Sequence, residues 1–368
     1  MEKIVAAVEP WAISAESWEN LEANLFAVSL FPYLAFLYYL GKPESKTPPL
    51  ANFGFRFLLV FVFATAPAGI YAKVQYGDIL ANIDWLHGSA ESFLTITNLL
   101  IVLGMRQYVD SPNDKDDIAS VEGALLGFVV AAGVASALIG LQGEAQAAEL
   151  AETAALWFGQ HSEPSNALSL PTWTIHISSL VEWLVAMGLV WKYAEVSGNP
   201  RWKGLTWGMV PGHTSGICAC TFHFFYNSPA LNSVVALQAL LTVVGNITLA
   251  VAAWRIYEFS STNSESKRES PVGIATFAID TSASTASAAA SDVDLAGFED
   301  LGEAWRKDSD TYIIAKLLVL SAMVSAGVKW GELWLDAPFQ PSLSLALIII
   351  FLPTGLNCLK WWELSQDD

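Results

Sequence analysis

The sequence predicts an all-α, polytopic integral membrane protein of about nine transmembrane helices, and three observations carry that expectation. Of 368 residues, 53% are hydrophobic and only 15% charged, with a mean hydropathy of +0.41, which is too apolar for a soluble chain of this size. The apolar residues gather into runs of the ~20 residues that a helix needs to cross the hydrocarbon core. Tryptophans and basic residues fall where such a layout requires them.

In order, the runs are Glu22 to Leu40, Phe53 to Tyr76, Leu86 to Gln107, Val121 to Leu141, Thr172 to Val196, Gly204 to Tyr226, Leu231 to Tyr257, Ile313 to Leu333 and Leu343 to Trp362. Trp18, Trp85, Trp173, Trp202, Trp254, Trp334, Trp361 and Trp362 lie at run ends, the headgroup level that suits indole. With nine spans, the loops after spans 1, 3, 5 and 7, their flanking helix ends and the C-terminal tail hold every Lys and Arg except Lys3, Lys73 and Lys329. The positive-inside rule then puts the C-terminus on the cytoplasmic or stromal side and the acidic N-terminus on the opposite, trans side.

Two long connections divide the chain. An acidic, alanine-rich stretch at 143–171 follows an N-terminal membrane module at 1–142 (spans 1 to 4). A three-helix module at 172–259 is followed by a Ser-, Ala- and Asp-rich linker at 260–310, too poor in large apolar groups to fold alone, and then by a helical hairpin at 311–368. The N-terminal twenty residues show neither the basic start of a signal peptide nor the Arg- and Ser-rich character of a transit peptide. A net charge of −18 argues against nucleic acid as a partner, since phosphates would be repelled. The three cysteines, Cys218, Cys220 and Cys358, lie inside spans and indicate no disulfide framework.

Span 6 places Gly204, Gly208, Gly212 and Gly216 at strict four-residue spacing, with Cys220 next in line. Small residues at that spacing make one ridge of a helix that lets another backbone approach closely, and span 5 or 7 is the expected neighbour. The phosphate-loop reading fails for these glycines, and no dinucleotide fingerprint, zinc-protease helix or nucleophile elbow occurs. The chain is therefore expected not to be an enzyme.

Ionisable residues inside a bilayer are costly and need a partner or a ligand. Here they are His87 and Glu91, four apart and so on one face of span 3; His176 and Glu182 on span 5; His213 and His223 on span 6; and Lys329 with Glu332, expected as a local ion pair. Under the topology above, His87, His176 and His223 all lie toward the trans side. A neutral imidazole in an apolar bundle suits the axial position of a macrocycle, with Phe222, Phe224, Phe225 and Tyr226 available to pack on a flat ring. Equally open is a structural role, in which the histidines donate to backbone carbonyls or pair with Glu91 and Glu182. His213 and His223 stand ~15 Å apart along a helix, so they cannot share one small site. A two-histidine haem needs His223 with His176 or His87. Glu182 lies deeper, where desolvation favours the neutral acid, and is expected to bond Asn246 or Gln238 on span 7.

Two phrases carry a resemblance. The segment LSLPTWTIHISSLVEWLVAMGLVWKYAEVSGNPRWKGLTWGMVPGHTSGICACTFHFFYN, continuing through LQALLTVVGNITLAVAAWRIYE, closely resembles the hypothetical chloroplast reading frame forty-nine family of cyanobacteria and plastids. The phrases SLFPYLAFLYYL and PAGIYAKVQYGDILANIDWLHGSAESFLTITNLLIVLGMRQ are similar to a second small membrane family from the same organisms, here fused to the first. The resemblance implies an oxygenic phototroph and a plastid thylakoid membrane, with a cyanobacterial thylakoid as the alternative. It supplies no catalytic residues. The expectation is a non-enzymatic protein serving a photosystem or other thylakoid complex, as a peripheral subunit holding chlorophyll and carotenoid or as an assembly factor. Rival readings are a transporter of an ion or metabolite, motivated by Glu182 and Pro211, and a redox protein that binds haem or quinone, haem being less favoured as a cofactor than chlorophyll or carotenoid.

Overall fold

A computed structural model describes residues 15–110, 164, 166–269, 309–334 and 340–366. Among the described residues every long element is an α-helix and there is no strand. The helices are α1 (Ala15–Leu40), α2 (Pro49–Tyr76), α3 (Asp84–Asp110), α4 (Leu170–Ser197), α5 (Arg201–Phe224), α6 (Asn232–Glu269), α7 (Asp310–Trp334) and α8 (Leu343–Leu364).

Seven of the eight are long and apolar enough to cross a membrane. The exception is α5, which is 24 residues long but carries the glycines, threonines, cysteines and histidines of span 6. Its polarity is tolerable because it is enclosed: Leu205, Thr206, Met209, His213, Thr214, Cys218 and Thr221 are all buried against neighbouring helices. The predicted count of nine is not reached among the described residues, and the fourth predicted span, Val121 to Leu141, lies outside them. A further difference concerns span 7, which was expected to end at Tyr257 with a linker from 260. Its helix runs on to Glu269, because the Ser- and Glu-containing turn after Tyr257 continues the helical hydrogen bonding.

The bundle interleaves the two halves of the sequence. α1 packs on α6, α2 on α3, α3 on α4, α4 on α5 and α5 on α6, while α7 lies against α4 and α8 against α5. A single apolar core joins Phe36 and Leu40 of α1, Phe55 of α2, Met105 of α3, Met187 and Val190 of α4, Trp202 and Met209 of α5, Ala253 of α6 and Trp361 of α8.

The glycine ridge is used on two sides. A Cβ at Gly208 would meet the Thr248 carbonyl of α6 at 3.1 Å, and one at Gly216 would meet the Leu180 side chain of α4 at 2.8 Å. Gly204 contributes to neither contact. Close approach brings polar groups into reach: Thr248 Oγ1 donates to the Gly208 carbonyl (2.8 Å), Ser215 Oγ to that of Gln238 (3.1 Å) and Thr206 Oγ1 to that of Met187 (3.1 Å). Such interhelical bonds are worth about 0.6 kcal/mol each in a bilayer.

At the C-terminal end of α3, Arg106 pairs with Asp310 at the start of α7. At the other end of α7, Lys329 donates to the Leu168 carbonyl just before α4 (2.8 Å). The predicted partner of Lys329, Glu332, has its side chain outside the described residues.

Candidate functional site

Three helix ends meet at one end of the bundle: the starts of α3 and α4 and the end of α5. Ser169 caps α4, its hydroxyl accepting from the Thr172 amide, and its own amide donates to Asp84 Oδ1 at the start of α3 (2.8 Å). Gly88 lets the two starts close together, since a Cβ there would lie 2.6 Å from Thr172 Oγ1. This bracket sets His87, in the first turn of α3, beside His176, in the second turn of α4. His223 arrives from the last turn of α5.

The three imidazoles form a compact triangle. Ring centroids are 5.0 Å apart for His87 and His176, 4.8 Å for His87 and His223, and 4.8 Å for His176 and His223. One ring nitrogen from each lies within 4.8 Å of the others. All three residues are buried, at 5%, 6% and 6% exposure.

His223 is oriented by Asn227, whose Oδ1 lies 2.8 Å from Nδ1. The Asn227 amide nitrogen donates to the Ala81 carbonyl and to Asn82 Oδ1, both at 2.9 Å, which fixes the oxygen toward the histidine. His223 Nδ1 is then the donor, and Nε2 carries the lone pair. To reach this position, Tyr226 (φ 50°) and Asn227 (φ 53°) both take the left-handed conformation. Asparagine does so readily, whereas a tyrosine there is uncommon and costs of order 1 kcal/mol. Asn166 supports the turn through the Tyr226 carbonyl (2.7 Å) and Asn82 Oδ1 (3.3 Å).

Glu91 stands beside His87, with Oε1 at 3.7 Å from Nε2, beyond hydrogen-bond length. Within the triangle, His87 Nδ1 and His176 Nε2 are buried without a hydrogen-bond partner among the described residues. Of the structural alternative, the pairing of His87 with Glu91 is present at ion-pair distance, while His223 is held by a side-chain amide rather than by a backbone carbonyl or a carboxylate.

The other two predicted site residues stand elsewhere. His213 lies ten residues before His223 on α5, and among the described residues neither of its ring nitrogens has a well-formed hydrogen bond, although the Leu180 backbone is beside it. Glu182 on α4 is fully buried, with both oxygens unpartnered among the described residues. The expected bond to Asn246 does not form, because the Asn246 amide donates instead to the Ser29 carbonyl of α1 (2.9 Å). Gln238 lends its carbonyl to Ser215. Sequence reasoning assigned no role to Asn227, Asn82, Asp84 or Asn166. One signal was present, since His223 and Asn227 repeat the four-residue spacing of His87 and Glu91.

Two family models match the chain, both described as proteins of unknown function: DUF3593 over residues 22–110 and DUF2499 over residues 167–255. His87 falls in the first segment, His176 and His223 in the second. The chain is similar to a Ycf49-like protein of Synechocystis, with 55% identity over 102 residues, 28% of this chain and 98% of the relative. It is also similar to the uncharacterized protein ycf49 of Cyanophora paradoxa, with 37% identity over 84 residues, 23% of this chain and 82% of the relative. No solved structure matches.

Proposed function

Because the chain belongs to the Ycf49-like family, fused to a second small family, we propose that it is a non-enzymatic thylakoid membrane protein serving a photosynthetic complex. The observation that carries this reading is the triangle of His87, His176 and His223, a buried site built to hold a group. Among the described residues no hydroxyl or thiol is hydrogen-bonded to these rings as a nucleophile would be to its base. The relatives come from a cyanobacterium and from a plastid-bearing alga, which supports a photosynthetic membrane.

Of the two roles open to such a protein, assembly factor or accessory subunit is favoured over pigment carrier. A macrocycle bracketed by two imidazoles at ~2.0–2.1 Å from its metal would set their centroids about 6 Å apart. These rings stand at 4.8–5.0 Å, so chlorophyll or haem would be held by one imidazole from an outer face.

The nine-span topology is part of the proposal. α3 and α4 both start at the histidine end and run parallel, which supports the proposed fourth span at 121–141. α7 starts beside Arg106 at the opposite end, where α6 also ends, which supports placing no span between them. With the basic loops stromal, the C-terminus is stromal and the histidine site faces the lumen. Gentle solubilisation of the membranes, followed by native separation and absorption spectra, tests the role. Comigration with a photosystem is expected. A folded chain that never travels with a photosynthetic complex overturns it, and a colourless one removes the pigment role.

A further inference from the structure

We propose that His87, His176 and His223 bind a divalent first-row transition-metal ion, each through one ring nitrogen, at the junction of the two family segments. The inference deepens the reading of the triangle as a binding site. It does not depend on the thylakoid or the photosynthetic complex.

The spacing fits an ion closely. With metal–nitrogen bonds of ~2.0–2.1 Å and tetrahedral angles, three imidazole centroids come to rest about 5.2 Å apart. The observed separations are 4.8, 4.8 and 5.0 Å. The donor nitrogens, up to 4.8 Å apart, would close to about 3.3 Å on such an ion, a movement shared between two side chains in each case. Ring positions are thus near those of the bound state, and rotation of the rings supplies the rest.

The hydrogen bonding leaves room for nothing else so simple. His87 Nδ1 and His176 Nε2 are buried without partners, and leaving a buried polar atom unsatisfied costs about 1–3 kcal/mol. His223 has spent Nδ1 on Asn227, and its Nε2 lone pair remains. Among the described residues no hydrogen bond joins the three imidazoles to one another. One cation satisfies all three.

The outer contacts are those of a metal ligand set. A ligating histidine normally turns its second nitrogen to a carboxylate, an amide or a carbonyl, which fixes the ring and raises its basicity. Asn227 plays that part for His223, itself pinned by Ala81 and Asn82 through a turn with two left-handed residues. Glu91 stands beside His87 and brings the negative charge that a buried dication requires. An all-imidazole donor set suits zinc, copper, iron or nickel rather than magnesium or calcium. Three protein ligands leave a fourth tetrahedral position for a water. His87 comes from one matched segment and the other two from the second, so the ion would tie the halves of the fusion together.

The test uses the full chain purified in mild detergent. Elemental analysis is expected to find about one ion per chain, and a stripped sample titrated with Co²⁺ should develop a tetrahedral ligand-field band that Zn²⁺ displaces. His87→Ala, His176→Ala and His223→Ala should each weaken binding at least tenfold, while His213→Ala leaves it unchanged. Should the ligand variants fail to fold, Asn227→Gly keeps the left-handed backbone, removes only the orienting amide and is expected to weaken binding by ~10–100-fold. A helical, monodisperse wild-type protein that holds no ion and gives no Co²⁺ band overturns the proposal, as does full binding in the triple alanine variant. Because both readouts are made on the isolated chain, failure to comigrate with a photosystem leaves the metal result standing, and the reverse also holds.

Discussion

Two kinds of buried imidazole occupy the same bundle, and they differ in company rather than in burial. His87, His176 and His223 converge from three helices, and two of them have a polar group behind the ring. His213 sits alone in the middle of α5, as Glu182 does on α4. The cluster is buried at the meeting of helix ends, where turns supply asparagines, a capping serine and an aspartate. The lone groups are buried between helix middles, away from such turns. Burial by itself thus marks no site. Convergence with orienting partners does.

The comparison breaks or sharpens on the sign of stability changes. The largest expected effect belongs to the cluster: with ligand at 100 times its dissociation constant, bound metal adds about 2.7 kcal/mol to the native state. Thermal unfolding in detergent should rise on adding Zn²⁺ to wild-type protein and stay flat in the His87→Ala, His176→Ala double variant. A Zn²⁺-independent melting temperature would place the cluster among the lone polar groups.

Next in size is Gly208→Val, which sets a branched side chain against the Thr248 backbone and should cost about 1–3 kcal/mol by overpacking, seen as a lower midpoint without loss of metal. Glu182→Leu and His213→Leu should have the opposite sign. Removing a buried group that lacks a partner is expected to leave stability unchanged or raise it by about 1–3 kcal/mol. A fall in the midpoint for either variant would reveal a partner and make that residue a second site. Liposome flux abolished by Glu182→Gln would assign that residue to transport.

Much of the fold was legible because a bilayer restricts what a chain can do. Every described span from Glu22 to Leu40 through Leu343 to Trp362 was found as a helix, with ends displaced by a few residues. The displacement was greatest at α6, where hydropathy ends at the membrane but helical hydrogen bonding continues to Glu269. α5 was the hardest to classify from composition, since its glycines, threonines and histidines read as weakly apolar until its enclosure by α4, α6 and α8 is known. The grouping of His87, His176 and His223 at one end of the bundle followed from counting crossings. Their separation from His213 followed from the rise of a helix. The unpartnered state of Glu182 was not foreseen, because whether Asn246 faces α4 or α1 depends on the rotation of α6.

The sequence by itself determined an all-helical membrane protein, which histidines lie near one end of it, and the family to which it belongs. Apolar run length, tryptophan position and charge bias are local quantities, and a membrane converts them into topology. Only the tertiary structure decided that the ring centroids of three of those histidines stand within 5.0 Å of one another, that Asn227 reaches back to orient one of them, and that α1 packs more extensively on α6 than on α2. These depend on helix rotation and on which small-residue faces meet, and contacts between residues as far apart as His87 and His176 leave no periodic trace along the chain.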